Sequence, residues 1–206
     1  MTKQKVESII VLSIVAVFIL GFLGVAAVPD HEVETLQYPG VSEIELVEKY
    51  EYYDVYGFTD FDIRNQMYAN GPEDSRTGET FFAFTDVEIE TKDIDATCAP
   101  YVPGVVEVTY TLPNWKNRNE ADPWLQDTWD YFMESLVAHE RGHGQIALRH
   151  QQELETLIYN TPVTNNCIAY HIRLFGLFID ASKKINQNQI EFDFETNHGQ
   201  ADGARF

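Results

Sequence analysis

The sequence predicts an α+β fold in which an antiparallel sheet is followed by a long helix and a second helix, with an apolar segment at the N-terminus. Three observations predict it. Apolar and polar residues alternate with a period of two through much of the first half, apolar residues recur every three or four positions in the second half, and Lys3 and Lys5 lead into an uncharged run from Ile9 to Val28. A chain of 206 residues has room for one ordinary domain and a targeting segment. The expected layout is 1–29 for that segment, 30–42 for a linker and 43–206 for the domain.

As a helix the Ile9–Val28 run would be about 30 Å long, enough to cross a bilayer. It exceeds the usual apolar stretch of a signal peptide, which favours an uncleaved membrane helix, although Gly24, Ala26 and Ala27 could serve a cleavage site. Either way the lysines stay inside and the acidic remainder is exported, anchored at the cell membrane facing the periplasm or exterior, or secreted. Asp30 to Ser42 is polar and contains Pro39 and Gly40, so it reads as a tether.

From Glu43 the strands begin. Ile44 and Leu46 alternate with Glu43 and Glu45, Thr85, Val87 and Ile89 with Asp86, Glu88 and Glu90, and Val106, Val108, Tyr110 and Leu112 with Glu107, Thr109 and Thr111. Each is the pattern of a half-buried strand, and antiparallel pairing is expected. Asp60 to Ala69 reads as a short helix, followed by turn chemistry at Asn70-Gly71-Pro72 and at Ser75 to Gly78. Asp122-Pro123 is a helix start, an N-cap acceptor followed by a residue whose missing N–H is harmless at the first helical position. Phe132, Leu136, His139, His143, Ile146, His150, Leu154 and Leu157 then mark a helix to about Asn160, stopped by Thr161-Pro162. A second helix is expected over Cys167 to Ile185, with a polar tail beyond.

Asp and Glu number 33 against 14 Lys and Arg, for a net charge of -19. Such a chain repels phosphate backbones, which excludes nucleic acid as a partner, and its surface charge reads as a solvated face. A hydrophobic content of 44% with 13% aromatics excludes a disordered acidic chain. Two cysteines, Cys98 and Cys167, are too few for a disulfide scaffold or a four-cysteine metal knot. In an exported protein they are expected to pair, closing a loop of roughly 70 residues worth about 4 kcal/mol.

The long helix carries His139-Glu140-Arg141-Gly142-His143, the pattern H-E-x-x-H. Residues four apart share a helical face, so both imidazoles can reach one zinc ion while Glu140 is displaced toward its bound water. Gly142 and Gly144 each lower helix stability by about 1 kcal/mol, so two in one turn ask for a close approach by another segment or by substrate. A catalytic zinc needs a third protein ligand. His150 lies about 10 Å further along the helix and cannot reach the same ion. Glu153 and Glu155 are too far along it as well. Ile146 and Arg149 stand where a metzincin needs glycine and histidine, and the thermolysin pattern has no clear match. His171, Asp180, Glu191, Asp193, Glu195 and His198 remain as candidates.

An ordered set of marks resembles a bacterial family of predicted secreted zinc-dependent proteases, domain of unknown function family 922, from about Glu43 to Phe206. The marks are Cys98 leading into a strand that ends Leu112-Pro113-Asn114-Trp115, then the H-E-x-x-H pentapeptide, Cys167 after the helix, and Phe192-Asp193-Phe194-Glu195-Thr196-Asn197-His198-Gly199 with Gly203. Phe192 stands where the family has tyrosine. The resemblance implies a zincin-like domain whose tail returns to the metal as a strand or loop, with His198 as third ligand. His171 or a tail carboxylate is the alternative, and Asp193 is expected to accept a hydrogen bond from a ligand imidazole.

These residues point to an exported zinc metallopeptidase acting on a peptide or protein substrate, with Glu140 as general base. Tyr110, Tyr170 and Arg141 are candidate donors to the oxyanion. The competing expectation is a non-catalytic exported binding or scaffold domain that retains a zinc site.

Overall fold

The computed structural model describes residues 34–36, 44–73, 78–92, 102–162 and 166–206. The Ile9–Val28 run and Cys98, with its expected bond to Cys167, lie outside them. Among the described residues no helix is long and apolar enough to cross a membrane. The elements are β1 (Glu34–Leu36), β2 (Ile44–Val55), α1 (Asp60–Asn70), β3 (Phe84–Lys92), β4 (Val102–Trp115), α2 (Pro123–Tyr159) and α3 (Cys167–Thr196), with 3-10 turns at Arg118–Glu120 and Gln200–Asp202. The class is α+β, with one small four-stranded mixed sheet in the order β1-β2-β4-β3.

β1 forms inside the stretch expected to be a tether, pairing antiparallel with β2 so that Glu34 faces Leu46 and Leu36 faces Ile44. The expected all-antiparallel sheet is corrected at β2 and β4. Tyr50 packs against Tyr110, Asn114 Nδ2 donates to Asp54 Oδ1, and the Lys116 N–H donates to the Val55 carbonyl. Partner numbers rise together along both strands, which is a parallel pair. Period-two alternation is the same in either sense, whereas a connection long enough to hold α1 and β3 permits the parallel one. Along β4 the alternation itself holds, with Val106, Val108, Tyr110 and Leu112 buried.

The helix starts follow their caps. Thr59 Oγ1 accepts from the Asp62 N–H at α1, and Asp122 Oδ1 accepts from the Trp124 N–H at α2. Near the end of α2 the inward position is Ile158 rather than Leu157, which is exposed. α3 continues eleven residues beyond the expected Ile185. No Gly or Pro interrupts residues 177–198, so the polar stretch stays helical and the expected strand or loop is instead its last three turns. Asn197 (φ 48°), His198 (φ 52°) and Gly199 (φ 75°) then turn left-handed, and the His198 N–H closes on the Asp193 carbonyl at 2.9 Å.

Chain contacts divide the molecule into two compact units. The first takes the described residues up to 48 with 87–107 and 146–189, and its helices pack Leu154, Ile158, Tyr170, Leu174 and Phe178 together. In it His150, buried, faces Glu153 through Nδ1 at 3.3 Å and Asn188 through Nε2 at 2.8 Å. The second takes 49–86, 108–145 and 190–206. Ile63 and Met67 of α1 are fully buried there, and Trp115, Trp129, Phe132 and Phe206 form an aromatic cluster with ring centroids 5.2–5.6 Å apart. Every residue of the site described next belongs to this second unit.

Candidate metal centre

Helical spacing puts His139 and His143 on one face of α2, and the extended α3 supplies Asp193 opposite them. His139 Nε2 lies 3.3 Å from His143 Nε2 and 3.3 Å from Asp193 Oδ1, and His143 Nε2 lies 3.1 Å from the same oxygen. These three side chains are the candidate metal-binding group among the described residues. Four ligands held about 2.0–2.1 Å from a tetrahedral zinc stand about 3.3–3.4 Å from one another, so this near-equilateral triangle has the edge length that zinc requires.

Proton placement leads to the same fit. Thr196 Oγ1 donates its only proton to the Phe192 carbonyl at 2.7 Å, so toward His139 Nδ1, 3.4 Å away, it is an acceptor. That places the imidazole proton on Nδ1 and leaves the Nε2 lone pair aimed at the Asp193 carboxylate. Two acceptors facing each other across 3.3 Å in a half-buried setting need a cation or a proton between them. Burial pushes the Asp193 carboxyl upward, but with a proton in those gaps the hydrogen bonding to His139 and His143, with the nearby charge of His143 and His198, outweighs it and holds the group well below the usual carboxylate range.

Glu140, buried on the next face of the helix, receives the Thr85 hydroxyl on Oε2 at 2.5 Å. Burial raises its pKa against the opposing pull of Thr85 and the two histidines. The helix glycines are explained by packing. A Cβ on Gly142 would stand 2.5 Å from Phe192 Cζ, and one on Gly144 would stand 2.5 Å from the Tyr110 hydroxyl. The Phe192 ring that Gly142 admits stacks on His139 (centroids 4.9 Å, 11°) and meets His143 edge-on (5.0 Å, 86°). Gly199, whose Cβ would press on His139 Cγ at 2.9 Å, closes the other side.

The structure sorts the site residues expected from sequence by position. His139, Glu140 and His143 come together, and Asp193, expected behind a ligand imidazole, stands beside the two imidazoles in the candidate group. His198 lies beside the group, more than half exposed, with Nδ1 3.5 Å from Asp193 Oδ1 and its ring near Phe81. His171 and Tyr170 belong to the first unit. Tyr110 is buried under Gly144, and Arg141 donates to the Tyr50 hydroxyl at 2.8 Å on the exposed side of α2. Sequence reasoning missed Thr85, read only as a strand residue, and the ring of Phe192. Gly142 was the available signal for the latter.

A family model described as "Bacterial protein of unknown function (DUF922)" matches residues 50–199, which include every member of this site. No curated protein and no solved structure matches the chain.

Proposed function

We propose, from the premise that this chain belongs to the DUF922 family of bacterial proteins, that it is an exported, membrane-anchored zinc metallopeptidase with a zincin-like site. The observation that carries the proposal is the 3.1–3.3 Å triangle of His139 Nε2, His143 Nε2 and Asp193 Oδ1, whose edges match tetrahedral zinc. Those three groups would hold the ion, and zinc bound there supplies a water acidified toward neutral pH and a Lewis acid for the scissile carbonyl.

The chain's own groups do the rest. Thr196 keeps the His139 proton on Nδ1, and Phe192 restrains both imidazole planes. Glu140, held by Thr85 on Oε2, takes the proton of the attacking water and passes it to the leaving amine. A carboxyl raised above its ordinary value is a stronger base and takes the water's proton more readily than an ordinary one. His198, the exposed imidazole at Asp193, steadies that carboxylate in this arrangement.

Glu140→Gln tests the activity. It is expected to keep stoichiometric zinc and the parent's melting temperature while abolishing cleavage of a peptide library that the parent digests. A Glu140→Gln variant that still cleaves would remove Glu140 from its role, and a zinc-loaded parent that cleaves nothing would leave a zinc-holding binding domain.

A further inference from the structure

The first unit exposes an apolar face that no part of the metal chemistry uses. Ile168, Ile172 and Phe175 recur at four and three along α3 and are 73%, 67% and 51% exposed. Tyr170, Leu174 and Phe178 on the opposite side of the same helix are buried in the core. The helix is thus apolar on both sides over these turns, a composition that calls for cover. Leu157 and Tyr159, at the end of α2 that packs into the same core through Ile158, are exposed as well.

Charge sets this region apart. In a chain with 33 acidic residues, no Asp or Glu occurs from Thr156 to Ile179, and the only Lys or Arg there is the exposed Arg173. The next longest stretch without an acid, residues 8–29, contains the apolar N-terminal run. The two are also tied by chain length. Pro29 to Val33 alone separate Val28 from β1, which lies in the same unit as this face, and so few residues reach at most about 20 Å. A bilayer crossed by Ile9–Val28 is then within reach of that unit. Acidic surface would be repelled by anionic headgroups, whereas the acid-free apolar stretch of α3 up to Ile179, bearing one arginine, is attracted.

We propose that the Ile168, Ile172 and Phe175 face of α3, with Leu157 and Tyr159, rests in the headgroup boundary of the membrane that anchors the chain. The proposal rests on the anchored reading above and is independent of the zinc chemistry.

The test uses the full chain in vesicles of phosphatidylcholine and phosphatidylglycerol, with a solvatochromic label replacing the side chain of Ile172 or, as control, of exposed Asp127. The Ile172 label is expected to shift to the blue and to be quenched at least about twofold by lipids brominated in their acyl chains, and the Asp127 label to do neither. Equal access of aqueous iodide to both labels, in chains that float with the vesicles, would overturn the proposal, and so would crosslinking of the Ile172 positions of two copies without lipid quenching. Chains that fail to float would overturn the anchored reading and this one with it. A variant with Ile168→Ser, Ile172→Ser and Phe175→Ser is expected to keep its zinc and to exchange the amides of residues 167–179 faster than the parent in vesicles. Equal exchange would count against the proposal.

Discussion

Gly142→Ala isolates the part played by Phe192 in shaping the candidate metal centre. The added Cβ would sit 2.5 Å from Phe192 Cζ and 2.8 Å from Cε1, where carbon atoms ordinarily rest about 3.5–4.0 Å apart. The ring must retreat by about 1 Å. It is stacked on His139 and edge-on to His143, so both imidazoles lose the surface that fixes their planes. Overpacking costs about 1–3 kcal/mol, against a gain of about 1 kcal/mol in helix propensity, for a net loss of up to about 2 kcal/mol. Zinc affinity is expected to fall by about 10- to 100-fold, as when other supports of a metal histidine are removed. Chelator competition gives the affinity, and the visible spectrum of the cobalt-loaded protein reports the ligand geometry. Adding Phe192→Leu should restore folding stability to within about 1 kcal/mol, because the clash is gone, but not the affinity. A Gly142→Ala variant that is more stable and binds zinc like the parent would refute the reasoning.

Asp193→Ala is expected to weaken zinc binding by orders of magnitude and His198→Ala by far less, as metal titration would measure; the reverse order would return the third ligand to His198. Denatured, unreduced protein is expected to show no free thiol on titration, and two per chain would refute the Cys98–Cys167 bond. Burial lowers the affinity of His150 for a proton, with Glu153 opposing and Lys184 assisting, so the unfolded chain takes up a proton near pH 6.5 that the folded chain refuses until lower pH. Its contribution to stability is therefore complete above that value and lost as pH falls through it. Melting temperatures from about pH 7.5 to about pH 5.5 should decline less in His150→Gln than in the parent, and equal slopes would sink the assignment.

The parts of the fold that were legible are those written in local pattern. Alternation located β2, β3 and β4, Asp122-Pro123 located the start of α2, and the pentapeptide located His139, Glu140 and His143 of the candidate site. The sense of β2 against β4 was not legible, because a strand buries alternate residues whichever way its neighbour runs. β1 was not either, since three residues pairing through backbone leave little trace in side chains. The reach of α3 was misread from its polarity, although the lack of any Gly or Pro from Leu177 to His198 carried the information. Thr85 reaches Glu140 across fifty-five residues of sequence, a relation set by packing and invisible to spacing.

The extension of α3 also orders events in the life of the molecule. Asp193, Thr196 and Gly199 are translated after Thr85, His139, Glu140 and His143, so a nascent chain carries the two imidazoles and the glutamate of the candidate centre without a third partner. Chains emerge from the ribosome at roughly 5–20 residues per second, and the export proposed above can begin before the last turns of α3 exist. The candidate centre is therefore unable to close around an ion until Asp193 has been made, fifty residues after His143. If the site is hydrolytic and the chain exported, as proposed above, timing of this kind would keep it from maturing among the proteins of the compartment in which it is made.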